Sequence, residues 1–172
     1  MHGVTHTLRW IPGHRRRRSA DNGAVLIENL DRETCLALLT TVGVGRVGWA
    51  TADGRAMILP VNFVLDRGSD GDTIVFSTSE GEKLDAVREG RLVTFEVDDV
   101  ELALRTGWSV LVIGSAEVIT SPAQIQRIEQ LQLAPWVPLP GRVFVRISAA
   151  KITGRRLPLH PGKITVIGRA EP

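Results

Sequence analysis

The chain contains no tyrosine, only one cysteine, and no apolar run approaching the length of a membrane span. Each absence narrows the possibilities. A lone Cys35 forms no intramolecular disulfide and completes no cysteine-based zinc site, so a cytoplasmic location is the default expectation. Without about 20 consecutive apolar residues, no membrane-spanning helix is expected. The missing tyrosine bears on the substrate site considered below. Acidic residues are absent from the first twenty positions, which hold Arg9 and Arg15 to Arg18. Those five account for the formal charge of +2: of 21 basic side chains, 16 remain against 19 acidic ones, leaving a body at −3. A mildly acidic body argues against a nucleic-acid-binding domain, whose basic residues cluster on the folded face.

What is present suits one domain: 172 residues, 43% hydrophobic, with neither repeat nor linker. Residues 1–22 read as a basic tail. They lack an apolar period, their arginine block repels itself, and no hydrophobic segment of a secretory signal follows. His2, His6 and His14 have no acid or cysteine to complete a ligand set, so no metal is expected there. A solvated arm fits, with a phosphate- or RNA-binding arm supported by charge alone. Residues 23–172 then form the single domain, and deleting residues 1–20 is expected to leave folding unchanged.

The chain is organised around Val44 to Leu65. Two β-type runs flank Asp53-Gly54, a strong signal for a tight hairpin. In the second run Met57, Leu59, Val61, Phe63 and Leu65 share one face, which is expected to be buried. Pro60 donates no ladder hydrogen bond and belongs at an edge or bulge. Asn62 needs a polar partner in an otherwise apolar strand. The opening admits a planar heterocycle, or a bulge satisfied by the next strand.

Upstream, Asp31 caps a helix, Leu30 packs on Cys35, and Cys35, Leu38, Leu39 and Val42 form its apolar stripe up to Gly43. Cys35 therefore reads as core filling. Asp66 to Asp72 reads as an acidic turn without calcium-loop spacing. The strand Thr73 to Thr78 runs into Ser79, Gly81, Lys83 and a short helix ending near Glu89. Hydroxyls of Ser77, Thr78 and Ser79, the helix start and the Lys83 ammonium converge as a cradle for phosphate, although capped strand-to-helix turns are common. It is not a Walker loop.

Downstream, Arg91 to Asp98 is a strand with Val93, Phe95 and Val97 inward, left by a solvated acidic exit. Thr106 to Thr120 is a strand bent at Gly114. Ser121, Pro122 and Gln124 start a helix through a capping box, with Ile125, Ile128 and Leu131 buried. A stiff loop from Ala134 to Gly141 precedes one strand with Val143, Val145 and Ile147 inward, continuing towards Gly154. Lys163 to Ile167 reads as a short terminal strand. This order predicts a mainly β fold with short helices, its antiparallel strands closing into a barrel.

Four pieces in this order resemble the pyridoxamine 5'-phosphate oxidase-like flavin-binding split β-barrels. They are G-R-V-G-W after the first helix, P-V-N-F, F-S-T-S-E-G-E-K-L, and W-S-V-L-V-I-G-S-A-E-V-I, with I-T-G-R-R-L closing the match. The resemblance spans about Glu28 to Leu157. It implies an antiparallel split β-barrel and a homodimer with flavin mononucleotide (FMN) between subunits. Pro60, Val61, Asn62 and Phe63 would then meet the ring, Ser77, Thr78, Ser79 and Lys83 the phosphate, and Trp108 and Ser109 would come from the partner. Arg46 would reach the phosphate or pair with a surface acid. The family's oxidases use an Arg- and Tyr-containing substrate-phosphate site and a late Arg-x-His. This chain has no tyrosine, and its late histidine, His160, lies beyond the last core strand. The resemblance therefore implies an FMN-dependent oxidoreductase acting on a small molecule other than vitamin B6. Its alternatives are a deazaflavin (F420)-dependent reductase, or a flavin- or haem-binding protein without turnover; haem would need His160 as axial ligand.

Overall fold

In the structure, a computed structural model, the residues described are 27–68, 71–131, 133, 135–138 and 140–159. The expected tail, His160 and the expected strand at 163–167 lie outside them. Among the described residues no helix is long and apolar enough to cross a membrane.

Strand β1 (Glu28–Leu30) leads into α1 (Arg32–Leu39), followed by β2 (Val44–Ala50), β3 (Ala56–Gly68) and β4 (Gly71–Thr78). Helix α2 (Glu82–Arg88) precedes β5 (Val93–Glu101), β6 (Thr106–Gly114) and β7 (Ala116–Ile119). Helix α3 (Pro122–Gln130), β8 (Val143–Ser148) and β9 (Lys151–Leu157) complete the fold. The strands run in the order β1-β9-β6-β5-β2-β3-β4-β8-β7, and all pairs are antiparallel. This is the expected split β-barrel.

The β2–β3 hairpin forms in the expected place, with Ala50 opposite Ala56 and Gly54 at φ 84° in the turn. Inward residues Val47, Phe95, Val97, Val110 and Val112 meet Ile74, Phe76, Val145 and Ile147, and α1 and α2 close the core with Cys35, Leu36, Leu39 and Leu84. Cys35 is fully buried, and that burial raises its thiol pKa. A second cluster, Val75, Phe144, Ile119, Ile128 and Leu133, seats α3 on the outside of β4 and β8.

Asp31 caps α1 as expected, accepting from the Thr34 N–H at 2.8 Å. The helix stops at Leu39, before Gly43, where the Thr40 and Thr41 N–H groups and hydroxyls bond three residues back to the Ala37 and Leu38 carbonyls. The hydrogen bonds from Thr34 hold the Asp31 carboxyl below its ordinary pKa. A depressed folded pKa means that the cap's contribution is present above the unfolded value, about 3.9, and lost as pH falls through the folded value. Asp31→Ala should therefore lower the urea midpoint at neutral pH, and the gap from the parent should close in acid.

Several expectations are corrected. In β3, Met57 and Leu59 are exposed, not buried, because β4 pairs with β3 only from Phe63 onward. Among the described residues the first half of β3 thus has β2 on one side and no strand on the other, and Pro60 sits on that edge. The acidic turn shrinks, since β3 runs to Gly68 and Gly68 pairs with Gly71. The acids Asp98, Asp99 and Glu101 belong to β5, whose pairing with β6 extends to Glu101–Thr106. Ser121 precedes α3 but makes no side-chain cap bond, and Leu131 is exposed.

The long strand expected after Val143 is two strands in different sheets. β8 pairs with β4 and β7, whereas β9 pairs with β6 and β1. The change of sheet mirrors the expected bend between β6 and β7. At that corner the Ser148 N–H donates to the Ser115 carbonyl at 3.0 Å. A Cβ on Gly114 would collide with the Ser148 carbonyl, so glycine is required by the close approach of backbone.

Candidate functional site

The point where β3 leaves β4 opens a cleft of about 380 Å³. One wall is β3 with Pro60, Val61 and Asn62; the floor is the end of β4 with Ser77, Thr78 and Ser79, and Lys83 of α2 lies beside it. Seven of the ten residues singled out from the sequence are therefore neighbours around one cavity. Strand pairing and one turn place them. Pairing of Phe63 with Phe76 sets the two strand ends side by side, and Gly81 at φ 143° turns the chain from β4 into α2.

Lys83 is half-buried, with its Nζ 5.6 Å from the centroid of the Phe76 ring. Among the described residues it makes no ion pair, and no carboxylate lines the cleft. Desolvation lowers its pKa. A partly dehydrated ammonium gains most from an anionic partner that restores what burial removed. Ser77 and Thr78 are buried, and the Thr78 hydroxyl donates to the Ser79 carbonyl at 3.3 Å. The helix contributes less than its position suggests. It has seven residues, no side-chain cap bond, and both Glu82 and Asp85 in its first turn.

Asn62 finds its polar partners at this site. Its Nδ2 donates to the Gly43 carbonyl at 3.4 Å, and its Oδ1 accepts the Trp136 N–H at 3.1 Å. The amide thus ties the α1–β2 connection to the loop before β8. That loop supplies Pro135, Trp136 and Val137 as the far wall of the cleft. The sequence marks this loop as stiff and aromatic without fixing its position. The signal was a tryptophan among prolines, a rigid segment presenting a large ring.

Three expected site residues lie elsewhere. The Phe63 side chain is buried and packs edge-on against Phe95, with centroids 4.7 Å apart. Trp108 and Ser109 line a separate, wider groove of about 760 Å³ with Arg46, Glu96, Asp98 and Arg155. Within this chain they are not part of the cleft. Arg46 takes the second of its two expected roles, pairing with Asp98 and, at 3.1 Å, with Glu96. No group of three or more His, Cys, Asp or Glu side chains able to hold a metal occurs among the described residues.

Comparison with known proteins agrees with the fold. A protein of Mycobacterium tuberculosis with no assigned function is 34% identical over 142 residues, covering 82% of this chain and 92% of that one. A Corynebacterium glutamicum structure superposes with a TM-score of 0.66 at 34% identity, covering 78% of this chain and all of the other. An FAD-binding protein from Mycobacterium smegmatis gives a TM-score of 0.63 at 33% identity, over 76% and 98% of the two chains. The pyridoxamine 5'-phosphate oxidase family model matches residues 31–156. That match spans most of the chain, from the cap of α1 into β9, and the chain belongs to this family.

Proposed function

We propose that the chain is a flavin-binding oxidoreductase whose cofactor phosphate is held by Lys83 with Ser77, Thr78 and Ser79. The observation that carries this reading is the half-buried setting of Lys83 beside three hydroxyl-bearing residues, with no acid lining the cleft among the described residues. The residues fit a flavin. Pro60 to Asn62 leave a free strand edge for the polar rim of a planar ring, and the ammonium supplies charge for the phosphate. FMN is the smallest flavin meeting both requirements, and the FAD bound by the Mycobacterium smegmatis relative carries the same ring and first phosphate. When bound, the isoalloxazine supplies hydride or electron transfer, while the protein binds it, orients it and limits its contact with water. The visible spectrum of the purified chain, with mass spectrometry of released cofactor, tests this reading. Flavin bands support it; a Soret band or a deazaflavin spectrum replaces it.

A second copy of the chain completes the proposed site by bringing Trp108 and Ser109 to the cleft. Met57, Ile58 and Leu59, at 38%, 64% and 44% exposure, form an apolar ribbon on the free half of β3 that such a copy would cover. Light scattering at micromolar concentration should therefore give the mass of a dimer. A monomer with flavin bound would remove the shared site.

A further inference from the structure

The groove of about 760 Å³ lies across β5, β6 and β9, on the face opposite Val97, Val110 and Val112 of the core. Strand pairing sets its rows. Leu157, Gly107 and Val100 stand side by side, and Arg155, Ser109 and Asp98 form the next row on the same face. The middle strand contributes only the small residues Gly107 and Ser109 to these rows, while its neighbours contribute larger ones. A trough results.

Its two ends differ in chemistry. At one end Val100 and Leu157 are joined by Leu102 and Ile27, and all four are exposed. Apolar side chains gathered at one concave place mark a binding surface, whereas scattered ones do not. The other end is charged, with four arginines and two carboxylates lining the groove. Arg46 pairs with both acids, Glu96 and Asp98, and Arg156 faces Glu28 at 3.8 Å. Arg105 and Arg155 make no ion pair among the described residues. The groove therefore offers guanidinium charge beside exposed hydrocarbon, and its acids are already neutralised. Guanidinium matches an oxyanion through paired N–H bonds, and a mostly apolar hollow with a few convergent polar groups is the usual form of a small-molecule site.

We propose that this groove binds an amphipathic anion, a hydrocarbon body carrying one carboxylate or phosphate. The head lies on Arg155 and the body along Val100, Leu102 and Leu157. The inference goes beyond the flavin reading and does not need it, because the groove and the Lys83 cleft share no residue.

Calorimetric titration of the full chain tests it with probes of one shared hydrocarbon body: octanoate, octyl phosphate, octanol and octylammonium. The anions should bind more tightly than the alcohol or the cation, and the tighter of the two anions identifies the head group. Arg155→Gln should weaken both anions about ten- to a hundredfold, the effect of losing one charge-assisted bond. Arg155→Lys should recover part of that loss. Lys83→Ala should leave both anions unchanged while weakening FMN. Failure of both anions to bind, equal affinities for octanol and octanoate, or anion binding indifferent to Arg155→Gln would overturn the inference and leave the flavin reading intact. So would a dimer that splits as octanoate is added, which would assign the groove to a second copy of the chain.

Discussion

Replacing Lys83 with alanine should weaken FMN binding by about one to two orders of magnitude and leave riboflavin binding nearly unchanged. In the proposed site the contact removed is a hydrogen bond between an ammonium and a phosphate, worth roughly 1.5–3 kcal/mol. Riboflavin has the same ring and no phosphate, so it reports on everything except that contact. Equal weakening of both ligands would indicate general loss of structure. No change in either would place the phosphate elsewhere. The same residue makes a second, opposite forecast. Burial lowers the pKa of Lys83, so the charged form destabilises the empty protein. For a base with a depressed folded pKa, that penalty is present at low and neutral pH and relieved as pH rises towards the ordinary lysine value, about 10.4. Lys83→Met should therefore raise the Tm of the empty protein at neutral pH while weakening FMN binding. A lysine serving only structure would show the reverse effect on stability and no effect on ligand.

Phe95→Ala should cost about 3–5 kcal/mol of stability, the usual range for deleting a fully buried phenyl ring. Phe95 stacks edge-on with Phe63 and lies directly over Gly45, where a Cβ would fall on its ring and 3.0 Å from the Glu96 carbonyl. Gly45→Ala alone should then cost about 1–3 kcal/mol through overpacking. The two substitutions should not add. With the ring gone, the new methyl enters vacated space, and the double variant should be more stable than the sum of the single losses predicts. Urea denaturation of the four proteins measures the coupling. Strict additivity would mean that the ring can move away from Gly45 at little cost. Phe63 belongs to this packing unit, which is why its side chain serves the core and not the cleft.

The framework was legible where local chemistry and tertiary packing agree. Asp53-Gly54 demands a turn, Asp31 demands a helix start, and the alternation at Val93, Phe95 and Val97 has only one inward face. The failures occurred where a distant strand decides. Nothing local in Glu28–Leu30 marks a strand; its register against β9 does. No glycine or proline separates β8 from β9, only Ala149 and Ala150, so their change of sheet was invisible. The exposure of Met57 and Leu59 follows from where β4 ends, not from β3 itself. At the site, the opening at Pro60 to Asn62 and the cradle at Ser77 to Lys83 were each legible from local chemistry, but only the family resemblance joined them; in the fold they meet at the open end of the β3–β4 pair, beyond Phe63 and Phe76. Trp136 was not legible, because its position depends on a hydrogen bond to a residue 74 positions away.

A structure of the chain with flavin bound tests the central claim most directly. The account predicts a phosphate about 2.7–2.9 Å from Lys83 Nζ, the range of charge-assisted bonds, within the cleft walled by Pro60 to Asn62 and Pro135 to Val137. A flavin lying instead in the wider groove, with its phosphate on Arg155 and the cleft at Lys83 empty, would contradict it.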